Sequence, residues 1–375
     1  APESAGLHQS AGEVAQLAGR TGLAIELYRR AGELDPADPR PALYESQLLL
    51  SDEQFAEARA AVERVLAIET DQPHALATLA VIEMDPDTSF LTQEERDVVN
   101  LLIEASGYMD EIYLRQRAAD LPQMREAISR NRRGDRDLLL AMFDRNFGPW
   151  DEVAELRPFW GTEPMPEGAG FYPADLTREE FDAYLAANPD QREALTSPYT
   201  VVRRNADGFV AVPYSQAYRQ WLVPAARLLE QAAQRTSNSS LKRFLSLRAA
   251  SFLTDDYFES EMAWMDLEGT PIEIAIGPYE VYTDRLYGTK TAFESFVTLR
   301  NPAESAALAK YKNYLRTMEE NLPIPDQHKN FQRGFESPIA VADQVHGGGD
   351  NVPGTQTIAF NLPNDERVRE AYLGV

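Results

Sequence analysis

The 375 residues contain no cysteine. Disulfides, a thiolate nucleophile and thiolate-bound zinc are therefore excluded. Histidine is scarce, with His8, His74, His328 and His346 the only four. None is followed by Glu and no two stand four apart, so the helical zinc motif H-E-x-x-H is missing. Bases are outnumbered, 36 against 60 acids, for a formal net charge of −24. That balance argues against nucleic acid as a main partner, because a phosphate backbone calls for a basic surface. No apolar run approaches the roughly 18 residues of a membrane span. The best, from Ala75 to Met84, is interrupted by Thr78 and Glu83.

Other catalytic signatures are incomplete. His346-Gly347-Gly348-Gly349 has the look of a lipase oxyanion-hole loop, but no G-x-S-x-G supplies a nucleophile. Ser239-Ser240-Leu241-Lys242 fits S-x-x-K without its companion motifs, and no phosphate-binding glycine loop occurs. Read from its residues alone, the chain carries no complete catalytic constellation. It begins Ala-Pro-Glu-Ser without an initiator Met. The expectation is either a removed export signal, hence a periplasmic chain, or a fragment of a cytoplasmic protein.

What is present is organised in blocks. The first 90 residues are rich in Ala and Leu, poor in aromatics and helical in period. Gly12, Ala24, Tyr28, Ala31 and Pro36 take the small, bulky and helix-stopping positions of a tetratricopeptide repeat. Thirty-four residues on, as that repeat length demands, Ser46, Ala58, Val62 and Val65 take the corresponding places. Small residues let two helices approach closely, and a bulky one fills the gap to the next pair. A further helix from Pro73 ends where the pattern fails at Asp85-Pro86-Asp87.

Helical spacing continues through Val98, Leu101, Leu102, Tyr108 and Ile112. From Phe147 to Pro173 the chain turns rich in Pro, Gly and aromatics, an ordered surface-wrapping loop. Thr177 to Glu180 is a capping box that starts a helix. Asn205-Ala206-Asp207-Gly208 between two β-prone runs, 200–204 and 209–212, signals a hairpin. A helical pair over 215–236 and 240–253 follows, then strands over 272–276, 293–299, 339–345 and 357–360, with a long helix over 302–321 among them. The expected fold class is α+β: an all-α, tetratricopeptide-like helical-hairpin layer, then a mixed lobe with an antiparallel-rich sheet or partial β-barrel plus helices. The expected organisation is 1–90 repeats, 91–130 helical connector and 131–375 mixed lobe.

The stretch from Tyr257, YFESEMAWMDLEGTPIEIAIGPYEVYTDRLYGTKTAFESFVTLRN, with the later LPIPD and PIAVADQVHGGGDNVPGTQTIAFNLPNDERVRE, resembles the dipeptidyl peptidase III family of zinc exopeptidases in its prokaryotic form. FGPWDEV, GAGFYPADLTREEF and SPYTVVRRNADGFVAVPYSQAY fit the same family. The resemblance covers about residues 130 to 372. It implies a hydrolase that uses zinc-bound water to release dipeptides from oligopeptide N-termini. In that family the zinc-binding residues follow the N-L-P-N segment, whereas this sequence stops at Val375. The resemblance therefore implies the N-terminal, β-rich lobe alone: a peptide-binding wall, with no metal bound to this chain and no activity on its own.

The same resemblance assigns substrate binding to Glu280 in G-P-Y-E-x-Y and to Asn361 and Asn364 in N-L-P-N. It assigns Tyr282 as a donor to a substrate or transition-state carbonyl oxygen. A free peptide ammonium needs a carboxylate and neutral acceptors in fixed positions, which these residue types supply. Without the family, the same residues read as strand aromatics, an exposed charge and turn residues around Pro363. Asp284, Lys290 and Glu294 are expected to hold the lobe together. The implied partners are an oligopeptide with a free N-terminus and a protein partner for the repeats. The rival expectation is a non-catalytic adaptor of repeats and peptide-binding lobe.

Overall fold

The computed structural model describes residues 4–52, 54–83, 86, 88–132, 134–312, 314–329, 340–353, 357 and 359–373. They fall into two units, Ala1–Asp87 and Thr88–Val375.

The first unit consists of α1 (Ala5–Leu17), α2 (Thr21–Leu34), α3 (Pro39–Ser51), α4 (Phe55–Ile68) and α5 (Pro73–Glu83). Its sequence pattern explains its packing directly. Ala24, Tyr28, Ala31, Ser46, Ala58, Val62 and Val65 are all fully buried. A Cβ at Gly12 would lie 2.8 Å from the Tyr28 ring, so the ring takes the space a side chain would need. The Tyr28 hydroxyl donates to Gln16 Oε1 at 2.9 Å. Pro36 sits exposed in the turn that ends α2, and Asp38 caps the next helix by accepting from Arg40 N at 3.0 Å. The break expected at Asp85-Pro86-Asp87 lies largely outside the described residues.

The second unit opens with the 25-residue α6 (Gln93–Arg117). Its start is a complete capping box: Thr92 Oγ1 accepts from Glu95 N, and Glu95 Oε2 accepts from Thr92 N at 2.7 Å. Val98, Val99, Leu102, Ala105, Met109, Ile112 and Tyr113 bury one stripe of it. Residues 91–130, expected as a connector, are thus part of this unit's core, since α6 packs on the sheet described below. There follow α7 (Leu121–Ser129), α8 (Arg136–Asn146) and a minimal pair, β1 (Trp150–Asp151) with β2 (Arg157–Pro158). Then come α9 (Arg178–Ala187), capped by Thr177 Oγ1 on Glu180 N at 3.2 Å, and the short α10 (Arg192–Thr196).

The hairpin signal is realised as β3 (Thr200–Asn205) against β4 (Gly208–Pro213). The helical pair follows as α11 (Tyr214–Ala217), α12 (Arg219–Arg235) and α13 (Ser239–Thr254), then α14 (Phe258–Met265). The S-x-x-K motif is the start of α13: Asn238 Oδ1 accepts from Leu241 N at 2.9 Å, and Ser240 Oγ donates to Glu268 O at 2.9 Å. It is a helix cap.

The main sheet is antiparallel in the order β5 (Ile272–Glu280), β6 (Ala292–Arg300), β7 (Ala342–Gly349), with α15 (Pro302–Lys312) and α16 (Leu315–Glu320) between the last two. It does not close into a barrel. The single helix expected over 302–321 is therefore two helices. The strand expected over 357–360 is absent among the described residues there, and Ile339, expected to open a strand, lies outside them. β5 and β6 are buried on both faces, which is why their sequences show no clean alternation. The His346-Gly347-Gly348-Gly349 run has a packing origin. A Cβ at Gly348 would lie 2.9 Å from Ser106 O on α6, and one at Gly349, where φ is +64°, would lie 2.1 Å from Phe293 O. Only glycine lets β7 run this close to helix and strand. A short α17 (Glu366–Val368) follows.

Candidate functional site

A cavity of about 330 Å³ opens at the end of β5 and β6. Glu280, Tyr282, Asn361 and Asn364 all line it, together with Glu294, Phe296 and Asp350. Its geometry begins with a break in strand register. Gly277 stands opposite Glu294 and Glu280 opposite Ala292, with a bulge between Pro278 and Glu280. A bulge inserts a residue and turns the strand. Tyr279 packs with Phe296 while its neighbour Glu280 reaches the cavity that Phe296 also lines. Strict alternation would have sent one of them to the other face. Tyr282 lies beyond the strand that carries Glu280. It lies in the turn after β5, 79% exposed, at the cavity mouth.

Asn361 and Asn364 flank the buried Leu362 and Pro363. Leu362 packs with Ala275, Tyr279 and Phe296, and Asn364 Nδ2 donates to Tyr279 O at 3.1 Å. This segment is therefore tied to β5 through Leu362 and Asn364, although it is not a strand. The Leu362–Pro363 peptide is cis. Phe360 lies on Phe296, with ring centroids 4.6 Å apart, and supplies an apolar wall.

The scaffold behind the cavity is polar and buried. Arg248 on α13 has no exposed surface. It donates from Nη1 to Ile276 O at 2.7 Å and to the Tyr279 hydroxyl at 2.8 Å, and from Nη2 to Glu261 Oε1 at 2.5 Å. A second anchor fixes the loop after β5. Asp284 accepts backbone N–H groups from Leu286, Tyr287, Thr289 and Lys290, and the Tyr172 hydroxyl at 3.1 Å. Lys290 Nζ donates to Leu195 O, Ser197 O and Thr200 Oγ1 at 2.7–2.8 Å. Burial pulls the Lys290 ammonium down to about 7 against the opposing pull of Asp284. Asp284 and Lys290 hold the lobe together, as expected of them.

Glu294 does not behave as a lobe-holding residue. It is 4% exposed and lines the cavity. Burial, then Asp350, then Glu280 push its carboxyl well above the usual range. Asp350 is held at about 6, chiefly by burial, with Tyr113, Arg117 and Thr283 pulling the other way. Thr283 Oγ1 donates to Asp350 Oδ1 at 3.4 Å. Sequence reasoning missed Glu294 and Asp350 as site residues. The available signal was an acid within the strand-forming run Phe293-Glu294-Ser295-Phe296-Val297, between aromatic residues.

The site is thus one of three carboxyl groups, two side-chain amides, a phenol and an aromatic wall. Such a set suits a compact organic cation with hydrogen-bond donors. It does not suit zinc: among the described residues no three His, Asp or Glu converge as metal ligands. His346 is half-buried on β7, its ring held below its usual value by burial. His328 is exposed, against Gln327.

Comparison with known proteins places these residues in context. A family model described as Tetratricopeptide repeat matches residues 15–82. Nudix hydrolase 3 of Arabidopsis thaliana is 28% identical over 339 residues, 76% of this chain and 44% of that protein. The dipeptidyl peptidase III structure from Caldithrix abyssi is similar at 49% identity and a TM-score of 0.73, covering 77% of this chain and 55% of that one. The dipeptidyl-peptidase III structure from Corallococcus sp. strain EGB is similar at 40% identity and a TM-score of 0.71, covering 76% and 53%. The chain spans about half the length of these relatives. The model for Peptidase family M49 matches residues 176–369, more than half of the chain and all of the cavity lining, and the chain belongs to that family.

Proposed function

We propose that the cavity binds the N-terminal ammonium and first residues of an oligopeptide, and that the chain supplies the peptide-binding wall of a dipeptidyl peptidase III-type hydrolase. Glu280 is the charged acceptor of the ammonium, Asn361 and Asn364 hold the first peptide groups, and Tyr282 donates to a substrate carbonyl oxygen. The single observation that carries the reading is that these four side chains, 84 positions apart in sequence at their extremes, line one concave surface with a carboxylate excess. The family's zinc would activate water for release of dipeptides in a complete enzyme. Among the described residues no group of side chains fits that metal, so the chain is proposed to bind peptide without cleaving it.

Calorimetry with tetraalanine and its N-acetylated form tests this. The free-amine peptide should bind and the acetylated one should not. A hydrogen bond to a charged group contributes about 1.5–3 kcal/mol, so Glu280→Gln should weaken binding by about 10- to 100-fold. Equal binding of both peptides would remove the amine site. The tetratricopeptide match favours a second role beside it, in which residues 15–82 engage a protein partner.

A further inference from the structure

The cavity draws Glu280 from the end of β5 and Asn364 from the segment well after β7. One residue joins these distant halves. Tyr279 immediately precedes Glu280, its carbonyl oxygen accepts from Asn364 Nδ2 at 3.1 Å, and its ring packs with Leu362. Its hydroxyl accepts from Arg248 Nη1 at 2.8 Å and donates to Ile276 O at 3.3 Å. The same Nη1 reaches Ile276 O at 2.7 Å. Tyr279 is therefore fixed through hydroxyl, ring and backbone, right at the bulge that turns Glu280. Among the described residues neither Tyr279 nor Arg248 lines the cavity itself.

Arg248 is itself held in place. Its guanidinium carbon lies 5.3 Å from the Phe244 and Tyr257 ring centroids and 5.5 Å from that of Tyr279. Nη2 is paired with Glu261 Oε1 at 2.5 Å. Its approach to β5 requires Gly277, because a Cβ there would stand 2.6 Å from Nη1. A planar guanidinium sends its N–H groups in set directions and can hold two acceptors and a carboxylate at once. A lysine ammonium on its flexible stem fixes none of those directions. Apolar side chains of similar volume often match a buried ion pair in stability, but direction is what they do not supply.

We infer that Arg248 and Tyr279 are positioning residues of the amine site. The guanidinium clamps the Tyr279 ring beside the bulge, and Tyr279 sets the spacing between the Glu280 carboxylate and the Asn364 amide. This rests on the amine-site reading above and adds to it the device that makes the two halves act together. The bond to Tyr279 O commits Asn364 Nδ2 to the protein and leaves Oδ1 as the atom able to accept from a ligand N–H. A binding constellation works only while its groups stay within about 0.5 Å of the productive geometry. Loosening Tyr279 lets carboxylate and amide drift apart, while Phe360 still supplies the apolar wall. Recognition of the ammonium therefore depends on two residues that do not touch it.

The test is a double-mutant cycle, read by calorimetry on the full chain with tetraalanine and N-acetyl-tetraalanine. Tyr279→Phe deletes the hydroxyl and keeps the ring. It should weaken tetraalanine binding about tenfold, as the loss of a hydrogen bond involving a charged group implies. In the Glu280→Gln background the same change should weaken it about twofold or less, because the carboxylate being positioned is gone. A merely structural role would cost the same factor in both backgrounds. Arg248→Lys keeps the countercharge of Glu261 but not the fork, and should show the same dependence on Glu280; it decides the matter if Tyr279→Phe does not fold. Tetraalanine bound by folded Tyr279→Phe as tightly as by wild type, or weakened equally in both backgrounds, would overturn the inference and leave the amine site intact. Equal binding of the two peptides by wild type, or no binding of either, would overturn both.

Discussion

The two units keep their charges in different places. In the first, small apolar contacts fill the interior and acids and bases meet at its edge. Glu45, 2% exposed, is the exception, and it is answered by Arg29 at 2.9 Å and Arg64 at 2.6 Å, both about half exposed. The second unit buries Arg248, Lys290, Asp284 and Glu294 in its body. Three of these are satisfied by fixed partners and hold β5 and its following loop. The fourth is not, and it faces the cavity. The difference teaches that buried charge in the second unit positions β5 and lines its cavity, while the repeats are packed mainly by small apolar contacts around Glu45, the single buried acid among their described residues.

The largest expected effect breaks the second unit's buried network. Arg248→Leu leaves Glu261 and the Tyr279 hydroxyl without their donor, and removing one partner of a buried pair costs about 3–5 kcal/mol. All four tryptophans, Trp150, Trp160, Trp221 and Trp264, lie in that unit. Urea unfolding followed by tryptophan fluorescence should therefore shift strongly toward lower denaturant. An unchanged midpoint would show that the network does not hold β5.

Slightly smaller is the apolar counterpart. Leu49, fully buried in the first unit, should cost roughly 2–5 kcal/mol as Leu49→Ala. The loss should appear in helical circular dichroism while the fluorescence midpoint stays put. A fluorescence shift as large as that of Arg248→Leu would erase the contrast between the units.

The pH response should differ in sign. Asp350 titrates at about 6 in the fold against an ordinary value near 3.8. The folded state therefore binds more protons between those values, and the second unit loses stability as pH rises from about 4 to about 6. A displacement of that size corresponds to at most about 3 kcal/mol. Glu294, also raised, chiefly by burial, adds to the loss as pH rises. In the first unit Asp38 is held below its usual range, chiefly by Arg40. Its contribution is present above about 3.8 and disappears as pH falls below that. Unfolding followed separately by fluorescence and circular dichroism across about pH 3.5–7 checks both signs.

The smallest effect sharpens the comparison. Glu57 meets Arg29 at 2.9 Å with both side chains about half exposed, so Glu57→Ala should cost less than about 1 kcal/mol. Thermal unfolding showing a loss comparable to Leu49→Ala would mean that the rim pairs carry the repeats.

Much of this was legible from residues alone, and the physical reason is locality. The repeat positions from Gly12 to Val65 specify their own packing, because helix pairs contact near neighbours in sequence. The Thr177 cap and the hairpin at Asn205–Gly208 are local hydrogen-bonding patterns and appear where they were expected. The family motifs pointed to Glu280, Tyr282, Asn361 and Asn364, whose residue types are those an amine site needs. Tertiary structure alone decided the rest. Whether Glu280 turns into the cavity depends on a bulge between two strands, and whether residues 357–360 form a strand depends on the neighbours available to pair with them. The glycines of His346–Gly349 record how closely a helix approaches from more than 200 residues away. Glu294 reads as one acid among 60 until the fold buries it between two glycines beside two other carboxyls. Charge burial is a property of what surrounds a residue, and those surroundings come from distant parts of the chain.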